Sequence, residues 1–90
     1  MFAPSLGEVA NIDVAGPRDA RYTLRVYDAR GRIVRDIYIG KPGPANAIWR
    51  GDDRFGAPVT VGLYFIRLEV HHPDGKIETL TKTIAVGDNF

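Results

Sequence analysis

The chain has 90 residues, 44% of them hydrophobic and 26% charged, which suits one small domain able to bury ~60–65% of its unfolded surface. Twelve basic against eleven acidic residues leave a net charge of +1, too balanced for an electrostatic footprint on nucleic acid or an anionic membrane. The absence of cysteine excludes disulfides, thiol nucleophiles and cysteine metal sites, and no apolar run approaches the ~18–20 residues that span a bilayer.

The amino terminus lacks the basic-then-apolar order of a secretion signal. "FAPSLG" reads as part of a loosely ordered leader over residues 1–7, which places the expected domain at residues 8–90. From there the period is two, not 3.6. A strand is expected over 8–15. In "YTLRVYD" (22–28) Tyr22, Leu24 and Val26 face one way, with Thr23, Arg25 and Tyr27 opposite.

"RIVRDIYI" (32–39) alternates less cleanly. A bulge would let both Val34 and Ile37 turn inward. Further strands are expected over 45–50, briefly over 57–60, over 63–70 and over 77–86. Tyr64, Ile66, Leu68 and Val70 form one row of the strand over 63–70. In the last strand Lys82 shares a row with Leu80, Ile84 and Val86, where its stem suits a sheet edge. Glycine and proline fall mostly between these runs, and no window of helical length escapes them. The expectation is all-β: two antiparallel sheets of about seven short strands in total, with Leu24, Val26, Trp49, Tyr64, Ile66, Leu68 and Ile84 in the core.

The turns carry more information than the strands. "DARG" (Asp28, Gly31) and "DRFG" (Asp53, Gly56) share Asp-x-x-Gly, and "HPDG" (His72, Gly75) places Pro and Gly at similar offsets. An Asp opening such a turn accepts backbone amides two or more residues on, and the Gly takes the positive φ that closes a hairpin.

No constellation of reactive residues stands out. Asp52 and Asp53 are adjacent on a turn, whereas paired catalytic carboxyls need a separation of about 5–9 Å across a cleft. A calcium site would need more oxygen ligands than this loop and Asn46 supply. His71 and His72 are strand neighbours and face opposite sides. Ser5, the sole serine, lies far in sequence from both. Trp49 and Tyr64 read as core residues. Tyr27, Tyr38 and Phe55 read as outer-row or turn-tip aromatics and keep a carbohydrate-binding surface open as an alternative.

"LRVYDARGRIVRDI", "WRGDDRFGAPVTVGLYFIRLEV" and "TKTIAV" together resemble the FlgD-type immunoglobulin-like domain, named after the flagellar hook-capping protein. The family pattern falls on Asp28, Gly31, Arg32, Trp49, Gly51, Asp53, Gly56, Gly62, Tyr64, Phe65 and Lys82. One departure is Arg50, where the pattern has Asp. The resemblance implies an immunoglobulin-like β-sandwich serving as a non-catalytic structural or accessory module of a bacterial extracellular, cell-surface or flagellar protein. Its partners would be other domains or assembly subunits, with no cofactor, metal, nucleic acid or membrane insertion. A type IX secretion carboxy-terminal sorting domain is similar in "GLYFIRL" and in its Lys-bearing last strand. The tripeptide Arg50-Gly51-Asp52 resembles an adhesion motif, but the family turn accounts for Gly51, leaving Arg50 and Asp52 as variable flanks.

Overall fold

A computed structural model of the chain describes residues 1–87; residues 88–90 of the expected 8–90 domain lie outside the described part. A three-residue 3-10 helix, Pro4–Leu6, precedes six strands: β1 (Ala10–Ile12), β2 (Arg21–Asp28), β3 (Ile33–Pro42), β4 (Ala47–Trp49), β5 (Gly62–His71) and β6 (Ile77–Val86). All six pair antiparallel, in a two-stranded sheet β1-β4 and a four-stranded sheet β3-β2-β5-β6. The expected strand over 57–60 does not form. A single bridge between Asp52 and Pro58, made by Asp53 N–H to Ala57 O and Val59 N–H to Gly51 O, stands in its place.

β2 and β5 run in register, so that Tyr22, Leu24 and Val26 lie beside Val70, Leu68 and Ile66. All six are buried, and Trp49 from β4 closes over them with Ala10 from β1. Each buried Val or Leu is worth about 1.5–3 kcal/mol of transfer free energy, so this double row is the main source of cohesion between the sheets. Ile84 of β6 is half-buried and packs against the same cluster.

β3 departs from a regular ladder at three points along β2. Val34 and Ile37 are extra residues between paired positions, and both pack against the core, as the bulge reading expects. Each bulge resets the parity of the strand. Arg35, paired with Val26, and Tyr38, paired with Leu24, therefore join the inner face. Tyr38, expected on the outer surface, instead packs on the core with its hydroxyl donating to the Ala45 carbonyl at 2.8 Å.

The first seven residues also differ from expectation. Phe2 and Ala3 are buried. Phe2 forms a parallel bridge with Val86: its N–H donates to Ala85 O at 3.1 Å, and Gly87 N–H donates to Phe2 O at 2.8 Å. The Glu8 carboxylate accepts from Ala3 N–H at 2.8 Å and folds the segment back on itself. A leader read as loose from its Pro, Ser and Gly content is thus held by pairing with the far end of the chain.

Candidate functional site

Asp28, Gly31, Trp49, Gly51, Asp53, Gly56, Gly62 and Tyr64 gather at one end of the two sheets, around the loop that leaves β4, whereas His71 and His72 lie at the opposite end of β5. Trp49 is 1% exposed, with its indole edge-on to the rings of Phe2 at 5.5 Å and Tyr64 at 5.4 Å. Its Nε1–H donates to Asp52 O at 2.9 Å, which pulls the loop back over the ring. Gly51 makes this return feasible. Its φ of +72° lies in the left-handed region, and Pro4 packs where a side chain would stand.

The turn that follows repeats the chemistry of the β2–β3 hairpin. Asp53 N–H donates to Ala57 O at 2.8 Å and Gly56 N–H to Asp53 O at 3.0 Å. Asp28 N–H donates to Arg32 O at 2.9 Å and Gly31 N–H to Asp28 O at 3.0 Å. His72 and Gly75 make the same pair of bonds at 2.8 and 3.0 Å in the β5–β6 hairpin. The closing glycines have φ of +82°, +82° and +90° at Gly31, Gly56 and Gly75, the left-handed position that ends a three-residue hairpin loop.

The turn carboxylates are committed to backbone. Asp28 Oδ1 accepts from Arg30 and Arg32 N–H, both at 2.9 Å, and Asp53 Oδ1 accepts from Phe55 and Ala57 N–H, also both at 2.9 Å. The amide of Arg32 is the largest influence holding the Asp28 carboxyl below its ordinary pKa, assisted by the Arg30 amide and the Arg32 guanidinium against the opposing effect of burial. In the third turn Asp74 takes the accepting role, with Lys76 N–H at 3.0 Å.

Asp52 is not the free flank that the sequence predicts. Arg35 Nη1 donates to Asp52 Oδ2 at 2.9 Å and to Asp53 O at 2.8 Å, and Arg54 N–H donates to Val34 O at 3.0 Å. The loop is stitched to β3 at these points. Of the adhesion-like tripeptide, Arg50 is exposed, Gly51 is buried and Asp52 is engaged by Arg35, so the three residues are not presented together as a free motif.

Tyr64 is buried at the start of β5, and its hydroxyl donates to Thr60 O at 2.6 Å. Gly62 opens the same strand opposite Val86. Two shallow depressions of about 350 and 370 Å³ flank Asp28, Thr60 and Tyr64. Phe55, at the tip of the turn, is 86% exposed and borders one of them.

His71 ends β5 on the surface, while the Nε2 of His72 meets Glu78 Oε1 at 2.9 Å. Among the described residues no group of three or more His, Asp or Glu is placed to hold a metal ion, and no helix is long and apolar enough to cross a membrane. Sequence reasoning did not find Arg35, Phe2 or Pro4. For Arg35 the signal was a cation directly after Val34, in the run where a bulge is expected. Comparison of the chain with protein-family models, curated proteins and solved structures found no match in any of the three.

Proposed function

We propose that this domain is an immunoglobulin-like module with a structural, non-catalytic role, spacing, anchoring or assembling the parts of a larger bacterial extracellular, cell-surface or flagellar protein. The observation that carries this reading is the use made of the polar turn residues: the carboxylates of Asp28, Asp53 and Asp74 each accept backbone amides and hold a loop shut. Carboxylates used in this way serve the conformation of their own turns.

The immunoglobulin-like assignment draws support from two antiparallel sheets sharing one core and from Tyr64. A tyrosine near the start of a strand, with its hydroxyl returned to a carbonyl four residues upstream, has the form of the tyrosine corner of such sandwiches. The Phe2–Val86 bridge sets both ends of the described chain side by side and parallel, so tension applied through them loads its two hydrogen bonds in shear.

The test is to stretch the chain between handles at its two ends. A load-bearing module unfolds in one cooperative event, at a force that falls when Phe2→Ala removes the ring packed on Trp49. Gradual extension at low force contradicts the mechanical role. A hydrolytic or transfer activity lost in a folded Asp53→Asn variant contradicts the non-catalytic one. The second reading, a carbohydrate- or protein-binding module, is favoured by the exposure of Phe55. It predicts ligand affinity that disappears in Phe55→Ala.

A further inference from the structure

The two sheets are unequal. Four strands form one layer, but the other has only two strands of three residues each, so the inner face of the larger sheet is covered in part. Exposure along its inner rungs rises towards β6. In the rung Leu24–Leu68–Leu80 the first two side chains are buried and Leu80 is 58% exposed. A groove of about 290 Å³ lies between β6 and β1, with Leu24, Ile66 and Leu68 as its floor and Ile12, Leu80 and Ile84 in its walls. Along one edge β1 pairs with β4. Its other edge makes no backbone hydrogen bond to any strand among the described residues. An unpaired strand edge beside an apolar trough is the geometry that takes up an added strand.

Charge narrows the choice of occupant. The inner rung Val26–Ile66 is flanked by a cation at each end, Arg35 on β3 and Lys82 on β6. Arg35 is met by the Asp52 carboxylate at 2.9 Å, supplied by the loop after β4. None of the ion pairs among the described residues includes Lys82. Asp13 also lines the groove, but strand alternation turns it away from the core while Ile12 and Val14 pack inward.

We propose that this groove binds an extended segment of another polypeptide, paired to the free edge of β1, with apolar side chains at alternate positions and one carboxylate set against Lys82. The segment would complete the smaller sheet and cover Leu80 and Ile84. It would do for Lys82 what the loop at Asp52 does for Arg35. The groove holds a few side chains and not the face of a second folded copy, which would need an interface of roughly 1,000 Å² or more.

The test uses two capped peptides, ITVTETVT and ITVTKTVT, titrated into the isotope-labelled full chain. The glutamate peptide should move the amide resonances of Ile12, Leu80 and Ile84 and saturate below about 1 mM. Lys82→Glu, at an exposed position, should weaken that binding about tenfold and make the lysine peptide the better ligand. No saturable shift at these residues, or equal affinity of the two peptides for the unaltered chain, would overturn the proposal. A concentration-dependent dimer lost in Leu80→Glu would assign the groove to a second copy and overturn it as well.

Discussion

Gly51 and Gly56 offer a comparison in which most terms cancel. Both have left-handed φ, +72° and +82°, and both belong to the loop between β4 and β5. A Cβ added at Gly56 meets nothing within 4 Å, whereas one added at Gly51 overlaps Pro4 Cγ and stands 3.0 Å from Pro4 Cβ. The backbone cost of alanine at such a φ is about 1–2 kcal/mol and is common to the two sites. So is the smaller gain from restricting the unfolded chain, about 0.4–1 kcal/mol. Gly51→Ala carries in addition an overpacking term of about 1–3 kcal/mol, because Pro4 is held between Phe2, bonded to Ala85 and Gly87, and the turn closed by Gly7.

Against a total stability of roughly 5–13 kcal/mol for a domain of this length, that difference is resolved by urea titration. The emission of Trp49, the sole tryptophan and a buried one, reports the transition. Gly51→Ala should therefore be the less stable variant by about 1–3 kcal/mol, and the gap should close when both changes are made in a Pro4→Gly background. Equal cost at the two glycines, or a gap that survives Pro4→Gly, would refute the view that the amino-terminal segment is a packed part of the fold.

Three further predictions concern the same end of the molecule. A double-mutant cycle on Arg35→Ala and Asp52→Ala should give a coupling of about 0.5–1.5 kcal/mol, modest because both side chains are partly exposed; a coupling near zero would return Asp52 to the status of a free loop residue. Phe2→Ala, which removes a buried ring packed on Trp49, should cost about 3 kcal/mol by chemical denaturation, and a cost below about 1 kcal/mol would show that the leader contributes little. The Asp28 carboxyl has a folded pKa below its unfolded value, so its contribution is complete above the unfolded pKa of about 4 and is lost as the pH falls through the lower folded value. Urea midpoints at neutral and strongly acid pH should accordingly fall further apart for the unaltered chain than for Asp28→Asn; the same separation in both would remove Asp28 from the acid response.

The elements most legible in the sequence were those fixed by local chemistry. The loops at Asp28–Gly31, Asp53–Gly56 and His72–Gly75 were readable because a short loop closed by a left-handed residue leaves few choices beyond Asp and Gly. β2 and β5 were readable because their inner rows, Tyr22 to Val26 and Tyr64 to Val70, are uninterrupted. The contributions of Phe2, Pro4, Arg35 and Tyr38 were not. Phe2 gains its place from a strand end more than eighty residues away, and no nearby residue encodes that contact. Tyr38 and Arg35 change face through bulges whose positions depend on which partner strand they meet. The strand expected over 57–60 had the right residue types, but its pairing with the loop goes no further than the one bridge between Asp52 and Pro58.

The irregular pairing of β3 also bears on polymerisation. A fibre built edge to edge consumes two compatible edges per subunit, one to receive a neighbour and one to offer to the next. In the larger sheet the outer edge of β3, with three breaks in register, has no regular row of donors and acceptors to template a further chain. The strands of the smaller sheet are three residues long, too short to hold another molecule unaided. That leaves β6, whose outer edge, among the described residues, is occupied only where Phe2 meets Val86. Two copies joined through β6 about a twofold axis would spend the single regular edge that each possesses. Growth through the large sheet would therefore stop at a pair, so the bulges that set Val34 and Ile37 into the core also act as a chain terminator.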